Sequence, residues 1–147
     1  MIAVVQRVSE ANVKVNDNII GKIDHGLVIL LGIKRGDIEK DVESLAQKIS
    51  TLRIFNDDND KMNLSITDID GSALVISQFT LCADTRKGRR PSFVDAEAPD
   101  LSNKLYERFK TSLTKYGVSV QSGEFGAMMD VDMINNGPVT FILDSRE

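Results

Sequence analysis

The stretch "INNGPVTF", residues 134–141, decides how the C-terminal half of the chain is read. Just before it, "MDVDM" (129–133) alternates, with Met129, Val131 and Met133 on one face. A second apolar run, "VTFIL" (139–143), starts inside it. Asn-Asn-Gly-Pro between two strand patterns reads as a turn. Proline lacks an N–H and restricts the residue before it, so Gly followed by Pro is an unusual corner between strands.

Working outward, other runs have strand character. "IAVVQRV" (2–8) is apolar on both faces, and "NVKVN" (12–16) places Val13 and Val15 inward. Asp17-Asn18 turns the chain, and "IIGKI" (19–23) returns as a hairpin partner. "LVILLGI" (27–33), "ALVISQFTLCA" (73–83) and "VSVQS" (118–122) complete the set. Two helices interrupt it. Asp37 is a candidate cap for the first, over roughly 38–53, where Ile38, Val42, Leu45, Ala46, Ile49 and Leu52 recur at helical spacing. Pro99-Asp100 opens the second. Its stripe is Leu101, Leu105, Phe109 and Leu113, and Gly117 stops it after Tyr116. The expected fold is α+β, a mostly antiparallel sheet or open barrel with two helices packed on it, in a single domain spanning 1–147.

Composition narrows the functional classes. The content is 41% hydrophobic and 27% charged, ordinary for a globular protein. The longest apolar run, "GLVILLGI" (26–33), is strand length, far below the roughly 20 residues that span a bilayer. The N-terminus lacks the features of a signal peptide. A single cysteine, Cys82, excludes an internal disulfide framework, and a cytoplasmic location is expected. The net charge is −4, yet "RKGRR" (86–90) concentrates four cations in one loop. Such a loop is either a solvated surface or a phosphate-binding device.

Most familiar catalytic side chains are missing. His25 is the only histidine and Cys82 the only thiol, and nothing in the sequence places them together. "NDDNDKMN" (56–63) resembles a calcium loop but lacks its Gly at position 6 and Glu at position 12. No metal and no cofactor are expected, and nucleotide-phosphate motifs are absent. Two features hold interest. On a strand, Gln78 and Thr80 of "SQFTL" share an otherwise apolar face, either bonded to a neighbour or lining a site. Arg7 shares a face with Ala3 and Val5, where snorkelling outward is the default.

Together, "SQFTL" (77–81) and "NNGPVT" (135–140) resemble the two signature motifs of the D-aminoacyl-tRNA deacylases. "MIAVVQRV" at the start, "RIFND" with "KMNLS" (53–65), "ADTRKGRRPSF" (83–93) and "GPVTF" are similar to that family in order and spacing, so the resemblance covers the whole chain. It implies a hydrolase that cleaves the ester joining a D-amino acid, or mischarged glycine, to tRNA, sparing the L-aminoacyl ester. It implies a homodimer with active sites at the interface, D-aminoacyl-tRNA as partner, and neither membrane nor DNA. Gly137 and Pro138 would form a cis pair that excludes L side chains, Ser77 would share in substrate binding and chiral selection, and Arg7 would brace the loop. Gln78, Thr80 and the backbone of Phe79 would be catalytic, with water attack assisted by the tRNA 2′-OH as the alternative to a Thr80 nucleophile. Phe125 and Met129 would pack the terminal adenosine. Arg86, Lys87, Arg89 and Arg90 would contact tRNA phosphates. The rival readings are a non-catalytic RNA-binding module using loop 86–90 and a Cys82 thiol esterase.

Overall fold

The computed structural model describes residues 1–147. Its organising element is β1 (Ile2–Val15), one 14-residue strand where the sequence suggests two short ones. It pairs antiparallel with β2 (Asn18–Ile23) and β3 (Gly26–Gly32) along one edge and with β8 (Asp130–Asp144) along the other. β6 (Ser72–Ser77) adds to β3 in parallel, and β7 (Ser119–Ser122) adds to β6 in parallel. The sheet is therefore mixed, antiparallel around β1 and parallel at β6 and β7. Parallel neighbours need a crossover, and the two helices supply it. α1 (Glu39–Thr51) lies between β3 and β6, and α2 (Pro99–Lys115) between β6 and β7. A small hairpin, β4 (Phe55–Asn56) and β5 (Met62–Leu64), fills the polar loop after α1.

Each face of the sheet has its own core. The odd residues Ala3 and Val5 of β1 join Leu27, Ile29, Leu31, Ala73 and Val75 beneath both helices. Val8, Ala11, Val13, Val28, Leu74 and Ile76 fill the other side, where β2 curls against β6 and β7 and nearly closes a barrel. Within α2, Leu105, Phe109 and Leu113 are buried as expected, and Tyr106 joins them. Leu101 is 43% exposed, and in the first turn Ser102, one position on, takes the buried place instead. Gly117 has φ +86°. It ends α2 in a paired cap: its N–H reaches the Thr114 carbonyl at 3.0 Å, and Val118 N–H reaches Leu113 O at 3.1 Å.

Asp37 does not cap α1. The helix begins after Ile38, whose N–H is taken by the Asp41 carboxylate at 2.9 Å. Asp37 is buried instead, where it accepts from the Met1 ammonium at 2.7 Å and from Arg146 at 2.8 Å. Two opposing charges make a better partner for a buried carboxylate than a solvated helix end.

Candidate active site

The Asn-Asn-Gly-Pro segment is not a corner between two strands. β8 runs through it, and the ladder with β1 slips there: Gln6 pairs with Thr140, but Val8 pairs with Asn135. Two steps along β1 are matched by five along β8. Residues 136–139 are thus thrown out of the ladder as a bulge. The Gly137–Pro138 peptide bond in it is cis.

Side chains hold the bulge from both sides. The Asn135 side chain closes its neck, donating to Thr140 Oγ1 at 2.9 Å and accepting from Val139 N–H at 3.0 Å. Arg7 lies opposite on β1. It is 7% exposed, so it does not snorkel. Its Nε donates to Asn136 O at 3.0 Å, and its NH1 donates to Ile54 O at 2.9 Å and Asn56 Oδ1 at 3.1 Å. No carboxylate pairs with it, so its charge is held by carbonyl dipoles alone. Gly137 has φ +134°, and a Cβ there would lie 2.6 Å from Val139 Cγ2 and 3.2 Å from an Arg7 terminal nitrogen. Asn135 and Asn56 are positioning residues that periodicity does not reveal. Asn135 stands inside the quoted motif, but its two partners become visible only once the bulge is formed.

The other motif also differs from the strand expectation. β6 ends at Ser77, Gln78 leaves strand geometry, and Phe79–Cys82 form a 3₁₀ turn. Gln78 and Thr80 therefore do not alternate on one strand face. They come together through the turn, with the Gln78 amide donating to Thr80 Oγ1. That bond occupies an acceptor site on the hydroxyl and leaves its O–H free to donate outward. The N–H groups of Phe79 and Thr80 precede the first i→i+3 bond of the turn, so the turn itself does not use them. Phe79 is 57% exposed and meets Phe93 edge to face, with centroids 4.9 Å apart. Gly32 admits this turn: a Cβ on it would lie 3.0 Å from Leu81 Cβ and 3.1 Å from Cys82 Sγ.

Within one chain the two motifs stay apart. The 3₁₀ turn sits over Gly32, which pairs with Ile2, whereas Gly137 sits against Arg7. Five strand positions separate Ile2 from Arg7, roughly 17 Å.

Other candidates fall into place. Cys82 is buried, its Sγ 3.4 Å from the Ile33 carbonyl, and burial pushes its thiol up, away from the reactive thiolate. His25 packs edge to face on Phe55 at 5.3 Å. Phe125 packs toward Tyr106 on the helix side, while Met129 packs into the barrel side, so the two belong to different cores. Asp84 and Ser92 bridge the base of the basic loop. Arg86 binds the Asp84 carboxylate through two nitrogens at 2.9 and 2.8 Å and holds its pKa down to about 2. Lys87, Arg89 and Arg90 form no ion pair. No group of three or more His, Cys, Asp or Glu is placed to hold a metal ion. No helix is long and apolar enough to cross a membrane.

The chain thus presents a braced backbone bulge at Gly137–Pro138 and a 3₁₀ turn at Phe79–Cys82, and its one histidine lies with Phe55, away from both motif segments in sequence. Comparisons with known proteins place this chain. Residues 4–144 match the family described as D-Tyr-tRNA(Tyr) deacylase. The D-aminoacyl-tRNA deacylase of Desulfatibacillum aliphaticivorans is 56% identical, over 99% of this chain and 100% of that protein. That of Thermosipho africanus is 51% identical, over 100% of this chain and 99% of that protein. A solved structure called c-Myc DNA Unwinding Element Binding Protein superposes with a TM-score of 0.92 at 38% identity, covering 98% of each chain. A structure described as a probable eukaryotic D-amino acid tRNA deacylase superposes with a TM-score of 0.81 at 19% identity, covering 97% of this chain and 98% of that one, and shares the fold. The chain belongs to the D-aminoacyl-tRNA deacylase family.

Proposed function

We propose that this protein hydrolyses the ester bond of D-aminoacyl-tRNA, and of mischarged glycyl-tRNA, releasing the free amino acid and tRNA. The observation that carries the reading is the Gly137–Pro138 bulge, held out of the sheet by Arg7 and Asn135. Its carbonyl oxygens are rigid acceptors for the substrate α-ammonium, and its backbone leaves no space for a side chain in the L direction. Discrimination then rests on exclusion of L, which is why glycine passes.

The chemistry is the attack of water on the ester carbonyl. The C–O bond to the ribose breaks, and the proton of water passes to the departing 3′ oxygen with the help of the neighbouring 2′-OH. The N–H groups of Phe79 and Thr80 stabilise the oxyanion, and Gln78 orients the Thr80 hydroxyl toward the substrate. Ser77 ends the strand that delivers this turn. An aminoacyl ester is already activated, so holding water and ester together supplies much of the catalysis.

The site is completed by a second copy of the chain, which brings its Gly137–Pro138 to this chain's Gln78–Thr80. The roughly 17 Å along β1 between Ile2, near the turn, and Arg7, against the bulge, supports this. So does Ile142, 72% exposed beside Val4 on the same sheet face. Phe125 and Met129 flank the terminal adenosine from either side of the segment that follows β7. Arg86, Lys87, Arg89 and Arg90 meet tRNA phosphates, and the substrate places the protein in the cytoplasm. The name of the solved relative at 38% identity refers to DNA, and a basic loop of this kind would attract either backbone. The deacylase reading is favoured by the family that residues 4–144 match and by full-length relatives named D-aminoacyl-tRNA deacylase.

The test is hydrolysis of D-Tyr-tRNA beside L-Tyr-tRNA. Faster loss of the D ester alone is expected. Neither ester cleaved above the rate without protein would leave only nucleic-acid binding. Sedimentation of the active species checks the shared site, since an active monomer contradicts it.

A further inference from the structure

A groove of 540 Å³ opens beside the 3₁₀ turn, whose Leu81 and Cys82 line it. Its walls come from three separate parts of the chain. Lys34 and Arg35 follow β3, Arg86 begins the basic loop, and Arg146 follows β8. Two carboxylates, Asp84 and Asp95, share the groove. Asp84 is already taken by Arg86. Lys34 is tied to Asp144 and Arg146 to Asp37, so both are held at fixed positions on the wall. The Arg35 side chain is exposed and makes no hydrogen bond or ion pair, although its backbone N–H is anchored to Asp95 O at 2.8 Å. The four groove cations face four carboxylates, Asp37, Asp84, Asp95 and Asp144, so the excess positive charge at this face comes from Lys87, Arg89 and Arg90 on the adjoining loop, and Arg35 is the groove cation free to take a phosphate without giving up a partner.

We propose that this groove is a phosphodiester subsite, and that Lys34, Arg35 and Arg146 together with Arg86 bind the backbone of the tRNA strand leading into the ester site. The proposal rests on the deacylase reading and deepens it. Concave walls with fixed cations suit a backbone that must be placed in register, more than a mobile loop alone does. Planar guanidinium groups present paired donors to phosphate oxygens. Leu81 and Cys82 in the groove wall belong to the same turn as Phe79 and Thr80, so the groove adjoins the element assigned to the ester. No base-reading contact is called for, and affinity here is blind to tRNA sequence.

The test compares Arg35→Gln and Arg35→Glu with Lys104→Gln, which removes a charge from the exposed face of α2 outside the groove. The dimeric protein and D-Tyr-tRNA are used over a range of salt concentrations. Loss of one phosphate contact lowers the salt slope of log(kcat/KM) by about 0.7 and raises KM about fourfold near 0.15 M salt. Arg35→Glu raises KM further, and kcat holds in both. Arg35 variants with the KM and salt slope of Lys104→Gln overturn the groove while leaving the deacylase reading intact. Wild-type protein that fails to cleave D-Tyr-tRNA overturns the reading on which the groove depends.

Discussion

Replacing Arg7 with methionine tests how the fold and the Gly137–Pro138 bulge are joined. The side chains are of similar length, so the hole left is small and the lost hydrogen bonds dominate. Three acceptors lose their donor. Ile54 O is fully buried, and stranding a buried carbonyl costs about 2 kcal/mol. Asn136 O is partly buried and costs about 1 kcal/mol, while the Asn56 side chain reaches water at little cost. Burying the guanidinium without a carboxylate is itself unfavourable, and its removal returns about 1 kcal/mol. The net is a loss of about 2 kcal/mol, or about 6–8 °C in Tm for a chain of this size. The Gly137–Pro138 bulge also loses its brace, so hydrolysis of D-Tyr-tRNA slows and the preference for D over L narrows. Arg7→Lys keeps the charge but reaches fewer acceptors, so it falls between wild type and Arg7→Met. Calorimetry and parallel D and L deacylation assays read both effects. An Arg7→Met protein within about 2 °C of wild type, with an unchanged D-to-L ratio, refutes the bracing argument.

Gly137→Ala places a Cβ 2.6 Å from Val139 Cγ2 at φ +134°. The strain of about 1–3 kcal/mol shifts the bulge, and kcat/KM on D-Tyr-tRNA is expected to fall at least tenfold. A wild-type rate contradicts the role given to this backbone. Cys82→Ala removes a buried thiol that no step uses, so deacylation persists at a modest cost in Tm; abolished activity in a folded variant restores the thiol-esterase reading. Tyr106 is 1% exposed, and burial raises its pKa to about 12. Its neutral form is favoured by folding, so that contribution is full below about pH 10 and is lost as pH climbs through about 12. Tyr106→Phe loses one hydrogen bond to Val75 O, which keeps its bond from Gly123 N–H, at a cost of about 1 kcal/mol at neutral pH. It should also unfold less steeply between pH 10 and 12, and an identical alkaline profile in a denaturant titration refutes the assignment.

Elements governed by local rules were legible in the chain. The apolar spacing of Val42, Leu45, Ala46 and Ile49 and of Leu105, Phe109 and Leu113 marked two helices, because a buried stripe must recur every turn. Gly117 marked the end of the second through its backbone freedom. What failed depended on partners distant in sequence. Asp37 looks like a cap until the chain terminus and Arg146 arrive beside it. Gln78 and Thr80 look like alternate strand positions until the chain folds over Gly32 into a 3₁₀ turn. Arg7 by residue pattern alone would snorkel, whereas the family resemblance makes it a brace for the Gly-Pro loop, and it meets carbonyls from residues 54 and 136.

By itself, the sequence determined the family, the two motifs that carry it, and the absence of a usable catalytic histidine. Those are properties of residue identity and spacing. The tertiary structure alone decided that "INNGPVTF" is a bulge within one strand and not a corner between two. A corner and a bulge use the same Asn-Asn-Gly-Pro, and the choice between them is made by β1, whose continuous ladder keeps β8 running on both sides and expels residues 136–139. The expelled backbone is then held by Arg7, 129 residues away in sequence, a pairing that no local pattern could encode.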